Sequence, residues 1–300
     1  MTDIASVSLE TPLADLADEL GRSFAEYGFA IVRDHGIPSD LIARAEQKSR
    51  EFFALPEAVK MQYHLKGKGG ARGYTPFGIE RAKDAQVHDL KEFWHVGRTL
   101  PPGDPLEPYM PPNVWPDEVE SFRDTFETLY GEFETCGRRI LSAIALHLGL
   151  SEHWFDPTVE DGNSVMRLLH YPPVAAEAEG RIRAAAHEDI NTITLLLGAE
   201  EAGLQLLARD GRWLPVSPPE GALAVNIGDM LQRLTNGQMR STTHRVVNPR
   251  GDAAKVSRFS MPLFLHPAAA VQLSPKHTAG SYLQERLGEI GLLRQTSVST

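Results

Sequence analysis

His187 and Asp189, in the run Ala184-Ala-Ala-His-Glu-Asp, form the only His-x-Asp pair among eleven histidines. In an extended strand, side chains at i and i+2 project to the same side. The spacing therefore aims an imidazole and a carboxylate at one point and turns Glu188 away. His244, in Arg240-Ser-Thr-Thr-His-Arg-Val-Val, is a candidate third ligand 55 residues beyond Asp189, a separation that a barrel of short strands closes. Two imidazoles and one carboxylate on one face of a metal suit Fe(II) that must keep positions open for substrate and O2. On spacing alone, a pair of satisfied core histidines is the competing reading.

The next strand run weighs against that bland alternative. Arg258 and Ser260, in Val256-Ser-Arg-Phe-Ser-Met, again share a face by the period of two. Asn248-Pro-Arg-Gly-Asp252 is a turn between two strand runs. A hairpin centred near Gly251 sets His244 opposite Arg258 to within a residue or two, about one short dicarboxylate from the metal. Arginine grips a carboxylate through two parallel hydrogen bonds and keeps its charge, and serine adds a donor. A surface ion pair is the ordinary role of a strand arginine, but flanking Phe259, Met261 and Leu263 favour burial here.

These residues need a strand core to hold them. After about residue 162, apolar or β-branched runs alternate with turn signals at 164–171, 181–187, 190–197, 203–208, 212–216, 222–227, 240–247 and 255–265. Eight short runs separated by Gly, Pro, Asn and Asp predict a sandwich or jelly-roll barrel, not a parallel βαβ sheet. The first half reads as helical. Leu13, Leu16, Leu20 and Phe24 recur at helical steps up to Gly28, and Phe29-Ala-Ile-Val follows as a short strand. Ser39 stands where a helix N-cap belongs, and Pro56 opens another short helix. The glycine- and lysine-rich stretch 66–78 reads as a loop, and seven prolines in 99–116 predict an extended crossing segment. The longest helix is expected over about 117–149, closed by Gly149, and a last one over about 280–293.

The 300 residues (33.1 kDa) are 42% hydrophobic and 23% charged, the balance of a soluble globular protein. Thirty Lys and Arg stand against forty Asp and Glu, and a net charge of −10 with no basic run argues against binding nucleic acid or anionic lipid. Cys136 is the only cysteine, so no intramolecular disulfide or Cys-rich zinc site forms; its apolar helical setting suits a core thiol. No apolar stretch reaches membrane-span length, and the early acids of the N-terminus do not follow a signal-peptide plan. The expected setting is the cytoplasm, without a membrane partner.

The stretch from about 163 to 267 resembles the isopenicillin N synthase-like branch of the 2-oxoglutarate- and Fe(II)-dependent dioxygenases. The matching features are Leu169-His-Tyr171-Pro-Pro, His187-Glu-Asp189, Gly203-Leu-Gln, Trp213-Leu-Pro-Val and Asn226-Ile-Gly-Asp-Met, then Leu234-Thr-Asn-Gly, Ser241-Thr-Thr-His-Arg-Val and Arg258-Phe-Ser260, in order and at fitting spacing. Tyr27-Gly-Phe, His35-Gly-Ile-Pro and Asp89-Leu-Lys-Glu-Phe extend the likeness through the first half. The resemblance implies an α+β fold: a distorted jelly roll (double-stranded β-helix, cupin-like) with a helical N-terminal half and a C-terminal helix. It implies one catalytic domain over 1–300, mainly helical to about 160, with the core at about 161–268 and the last helix at about 269–300.

By the same resemblance His187, Asp189 and His244 bind iron as the catalytic centre, and Arg258 with Ser260 grips the distal carboxylate of 2-oxoglutarate. Tyr171 matches a tyrosine that hydrogen-bonds this cosubstrate. The implied reaction uses Fe(II), 2-oxoglutarate and O2 to hydroxylate, desaturate or cyclise a small molecule, releasing succinate and CO2. Family pattern places Arg72, Tyr74, Lys91, Phe93, Leu231 and Phe264 around the substrate. Many members carry Asn two residues before the tyrosine, where this chain has Leu169. By alternation Arg167, Leu169 and Tyr171 share a face, so Arg167 points into the barrel toward cosubstrate or an anionic substrate; a structural ion pair is the equal alternative. Three other readings stay open at this point: an oxidase of the same family that uses no 2-oxoglutarate, zinc hydrolysis at the same triad, and a metal-free scaffold. Hydrolysis needs a base beside the metal, and Glu188 is expected to face away. A scaffold has no use for an intact triad and clamp.

Overall fold

Helical apolar periods and strand alternation divide this chain near residue 160, yet the first third also contributes strands. The computed structural model describes residues 4–65, 71–79, 91–173, 183–198, 203–249 and 251–289. Its elements run β1 (Ser6–Ser8), α1 (Leu13–Tyr27), β2 (Phe29–Arg33), α2 (Ser39–Phe53), α3 (Glu57–Lys60), β3 (Gly73–Thr75), β4 (Glu92–Gly97) and α4 (Phe122–His147). They continue with α5 (Asp156–Val159), β5 (Val165–Tyr171), β6 (Ala184–His187), β7 (Ile193–Leu197), β8 (Leu204–Leu207), β9 (Trp213–Pro215), β10 (Leu223–Ile227) and α6 (Asp229–Leu234). Last come β11 (His244–Val246), β12 (Arg258–Leu265), β13 (Gln272–Ser274), β14 (His277–Thr278) and α7 (Ala279–Glu289).

Eight strands form one sheet in the order β1-β2-β10-β7-β12-β5-β4-β3, antiparallel except where β1 runs along β2. Four more make a second sheet, β6-β11-β8-β9. The period of two gives the larger sheet two distinct faces. Val32, Trp94, Leu168, Leu195, Val225 and Leu263 turn outward into one core with Leu20, Phe24, Phe52, Phe126 and Ile140 of α1, α2 and α4. Each such side chain fully removed from water contributes about 1.5–3 kcal/mol. On the inner face, Phe29 and Ala224 meet Leu204, Leu206 and Val246 of the smaller sheet. The result is a jelly roll of two facing sheets with helices laid over the outside of one. No helix among the described residues is long and apolar enough to cross a membrane.

One glycine ties the helical layer to the barrel. α1 ends at Gly28, whose φ of +67° suits only glycine without strain. A Cβ there would lie 2.3 Å from Thr242 Oγ1 and 2.4 Å from Arg240 O. The segment leading into His244 therefore packs directly on this turn.

Several local expectations are corrected. Pro38, held extended at φ −59° and ψ 132°, takes the N-cap place of α2, and Ser39 is its first helical residue with no capping hydrogen bond. The long helix starts at Phe122 rather than 117, because Ser121 sits in the left-handed region at φ +59°. Within 99–116, residues 102–109 fold as successive turns, with Met110 N donating to Leu106 O at 2.9 Å, and 111–116 carries no regular element, so only part of the segment departs from the expected crossing. Within 66–78, Gly73–Thr75 is a strand on the free side of β4, and 66–70 lies outside the described residues. The expected last helix ends at Glu289; 290–300 also lies outside them.

Candidate iron and cosubstrate site

β6 ends at His187 and β11 begins at His244, and the two are partners across an antiparallel pair. Their imidazole centroids are consequently 4.4 Å apart. Asp189 lies just past the end of β6 rather than in it, yet its Oδ1 reaches 3.8 Å from His187 Nε2 and 3.9 Å from His244 Nε2. One ligand atom from each residue falls within 4.8 Å of the others, which metal–ligand bonds of about 2 Å can span. Glu188 is exposed and accepts from Thr243 Oγ1 at 2.8 Å, turned aside as its position predicts.

Each imidazole is oriented by its own backbone. His187 Nδ1 donates to Ala185 O at 2.7 Å, and His244 Nδ1 donates to Thr242 O at 3.0 Å. A carbonyl only accepts, so both rings carry the proton on Nδ1 and present a bare Nε2. Burial and then the neighbouring His244 lower the pKa of His187 to about 4, which keeps it neutral. Burial pushes Asp189 upward, but His244 and His187, with hydrogen bonds from Asn226 and Thr194, bring it below the ordinary carboxylate value.

Those two hydrogen bonds fix which oxygen faces the histidines. Thr194 Oγ1 (2.5 Å) and Asn226 Nδ2 (2.8 Å) both donate to Asp189 Oδ2, leaving Oδ1 toward the two imidazoles. Thr194 and Asn226 are themselves cross-strand partners on β7 and β10. Phe29 meets the His244 ring edge-on at 5.4 Å. Asn226 enters the sequence reading only within its motif, and Thr194 does not enter at all. Its signal was a hydroxyl at an inward position of the apolar run Ile193-Thr-Leu-Leu-Leu.

Arg258 opens β12 opposite Tyr171, not opposite His244. β11 pairs with β6 and β8, whereas β12 pairs with β5 and β7, so the chain between them changes sheets through the 3-10 turn Gly251–Lys255. The expected hairpin fails because Met261, Leu263 and Leu265 belong to the helix-covered core, which draws β12 into the larger sheet. Arg258 is nevertheless 1% exposed, with its guanidinium carbon 5.8 Å from the Tyr171 ring centre. Its Nη2 donates to Gly198 O at 3.3 Å, while Nε and Nη1 are buried with no hydrogen-bond partner. An unmatched buried cation is costly, and a carboxylate satisfies two such donors at once. Ser260 is buried on the same face, across from Leu169. This donor set fits a dicarboxylate, and the triad fits a hard divalent metal. Arg183 also sits 5.8 Å from the Tyr171 ring at 1% exposure, with Nη2 donating to Val256 O at 3.4 Å. Alternation put it on the His187 face, a signal the sequence reading passed over.

Of the expected substrate residues, three meet. The Arg167 guanidinium carbon lies 4.2 Å from the Phe93 ring centre and 5.4 Å from that of Phe264. Phe93 also packs with Leu169 and Tyr171. Lys91 is half-buried, and its charge acts on His187. Tyr74 and Leu231 are not brought there: Tyr74 pairs with Trp94 and shares its helix-covered face, and Leu231 is fully buried in the same core. The Arg72 guanidinium lies over Gly97, where a Cβ would fall 1.9 Å from it, and burial lowers its pKa to about 10.

Comparisons with known proteins agree with this geometry. Residues 2–118 match the family model described as non-haem dioxygenase in morphine synthesis N-terminal, and residues 162–267 match that of the 2OG-Fe(II) oxygenase superfamily. A 2-oxoglutarate-Fe(II) type oxidoreductase of Emericella nidulans is 34% identical over 263 residues, covering 84% of this chain and 74% of that one. A proline hydroxylase of Petromyces alliaceus is 34% identical, covering 84% of this chain and 81% of its own. A structure assigned to the 2OG-Fe(II) oxygenase family, from Caulobacter crescentus, superposes with a TM-score of 0.89 at 48% identity, covering 97% of this chain and all of that one. A full-length Neurospora crassa protein solved in complex with alpha-KG and thymine superposes with a TM-score of 0.82 at 27% identity, covering 95% of this chain and 96% of that one. The chain belongs to the 2OG-Fe(II) oxygenase superfamily, in its isopenicillin N synthase-like branch, and is an Fe(II)- and 2-oxoglutarate-dependent dioxygenase.

Proposed function

We propose that His187, Asp189 and His244 hold the iron, and that Arg258, with Ser260 and Tyr171, holds the distal carboxylate of 2-oxoglutarate, in a cytoplasmic enzyme whose 300 residues act as one catalytic domain on a small molecule. Bound Fe(II) and 2-oxoglutarate supply the oxidising chemistry, in which O2 is consumed, succinate and CO2 leave and a substrate C–H bond is oxidised. The observation that carries the assignment is the pair of buried, unpartnered donors on Arg258, on the same barrel-facing side as Tyr171, in a chain that also gathers a bare-Nε2 His/Asp/His set.

The protein's own residues bind, orient and exclude. Ala185 O and Thr242 O hold the two imidazoles with their lone pairs forward. Thr194 and Asn226 occupy one oxygen of Asp189, so the carboxylate offers the metal one bond and leaves other positions open. Arg258 binds two oxygens of the distal carboxylate and so sets the reach of the cosubstrate toward the triad. Phe29, Phe93, Leu169 and Phe264 are apolar surfaces that keep water from the reacting bond.

Succinate formation tests this reading. The purified enzyme supplied with Fe(II) converts 2-oxoglutarate to succinate, and His187→Ala reduces the rate to background. Conversion by that variant at the wild-type rate would remove His187 from the iron site.

A further inference from the structure

Three histidines of this chain share one orienting device. His187 and His244 each donate Nδ1–H to the carbonyl two residues back and present a bare Nε2. His266 does the same, with Nδ1 donating to Phe264 O at 2.9 Å. A carbonyl only accepts, so the proton sits on Nδ1 and Nε2 keeps an open lone pair. A histidine that serves the fold is built otherwise: His170 uses one nitrogen on Glu92 and the other on Ser257. His266 Nε2 has no hydrogen-bond partner among the described residues.

Its place in the fold turns that lone pair toward the site. Along β12, Met261, Leu263 and Leu265 belong to the helix-covered core, while Ser260 and Phe264 alternate with them on the barrel side. His266 follows by the same period of two, one residue past the strand end. That face runs from Arg258 and Ser260 at the cosubstrate clamp to Phe264, the cross-strand partner of Thr194, which donates to Asp189. His266 is the next step beyond, and the charge of Asp189 acts on it. The backbone there is anchored on both sides: His266 N donates to Ser164 Oγ at 3.1 Å, and Thr192 N donates to Leu265 O at 2.9 Å. The side chain is half-buried, and burial favours its neutral form, the one that accepts. It stands outside the three residues whose ligand atoms gather within 4.8 Å, so it is not a fourth metal ligand.

We infer that His266 binds the substrate: its Nε2 accepts a hydrogen bond from an O–H or N–H group of the molecule, whose apolar part rests on Phe264 and Phe93. The inference rests on the iron and cosubstrate site proposed above. It makes His266 a specificity residue at the metal end of the barrel, distinct from the arginine that holds the cosubstrate. A competing molecule without the donor leaves this nitrogen unmatched, and that cost separates the two.

The test uses the anaerobic holoenzyme with Fe(II) and 2-oxoglutarate, whose chelate gives a weak visible charge-transfer band. The probes are 3-phenylpropan-1-ol and 3-phenylpropanamide, each set against a counterpart with its donor hydrogens replaced by methyl, 1-methoxy-3-phenylpropane and N,N-dimethyl-3-phenylpropanamide. The expected result is that at least one donor probe perturbs the band at about tenfold lower concentration than its counterpart, the alcohol reading O–H and the amide N–H. In His266→Phe the band forms at the wild-type 2-oxoglutarate concentration, which shows the variant folded, but the advantage is lost. His266→Gln, whose amide oxygen accepts, recovers part of it. An advantage that persists in His266→Phe reports methyl bulk alone and overturns the inference. Equal responses within both pairs, no response to any probe, or a raised 2-oxoglutarate requirement in His266→Phe overturns it too. A wild-type enzyme that binds Fe(II) yet forms no band overturns the cosubstrate site itself, and this inference with it.

Discussion

Strands β4, β5 and β12 carry buried charge on both of their faces, and the two clusters are built in opposite ways. On the helix-covered face, Glu92 at 1% exposure accepts from Lys60 Nζ at 2.7 Å, from His170 Nδ1 at 2.7 Å and from Tyr74 Oη. His170 uses its second nitrogen on Ser257 Oγ at 3.0 Å and stacks on Phe259 at 4.8 Å. Burial pushes Glu92 upward, but hydrogen bonds from His170, Lys60 and Tyr74 carry it below the ordinary carboxylate value. On the inner face, one residue along each strand, Arg258 keeps two buried donors without partners. The contrast teaches how to read buried charge. Where the chain supplies every partner, the cluster serves the fold; where two donors of one buried guanidinium stay unmatched beside the triad's barrel, as on Arg258, we propose that a ligand completes them.

Mutations on the two faces should therefore part company. The largest effect is expected for Asp189→Ala, which removes a metal ligand and lowers turnover by more than about a hundredfold, the upper range for loss of an outer-layer partner alone. Iron content and succinate yield read it. Glu92→Gln comes next. It leaves Lys60 buried without a charged partner and lowers unfolding free energy by about 3–5 kcal/mol in a denaturant titration, while the folded fraction keeps its 2-oxoglutarate requirement. Because the Glu92 pKa is lowered on folding, its contribution is present at neutral pH and is lost as pH falls through the lowered value; the variant should lack that acid limb.

Arg258→Met is the mirror case. Removing an unmatched buried cation leaves the thermal midpoint of the metal-free protein unchanged or higher, but raises the 2-oxoglutarate needed for half-maximal rate about tenfold to a hundredfold. A lowered midpoint with unchanged requirement would reverse the assignment of the two faces. The smallest effect is expected for Thr194→Val. Asn226 still holds Asp189 Oδ2, so iron affinity should fall about tenfold with little change in the 2-oxoglutarate requirement.

Much of this was legible because it follows from period. All eight strand runs after residue 162 fold as strands, and His187 and His244 stand side by side because each ends or begins one. What was hidden depends on which sheet a strand joins. His244 and Arg258 flank a turn in the sequence, yet their strands pair in different sheets, because the apolar side of β12 is matched to the helices. β4 was hidden for another reason. Glu92-Phe-Trp-His-Val-Gly is buried at every position, so no polar alternation marks it, and its carboxylate, Glu92, is satisfied by partners far along the chain. Tyr74 was drawn toward the substrate by family pattern, but its pairing with Trp94 commits it to the core.

The most direct measurement is an anaerobic titration of Fe(II) and then 2-oxoglutarate, followed through the visible charge-transfer band of the chelate. The wild-type enzyme should form the band, Arg258→Met should form the same band only at about tenfold to a hundredfold more 2-oxoglutarate, and His187→Ala should form none. A band in Arg258→Met at the wild-type concentration, or an undiminished band in His187→Ala, would contradict the placement of cosubstrate and iron in this barrel.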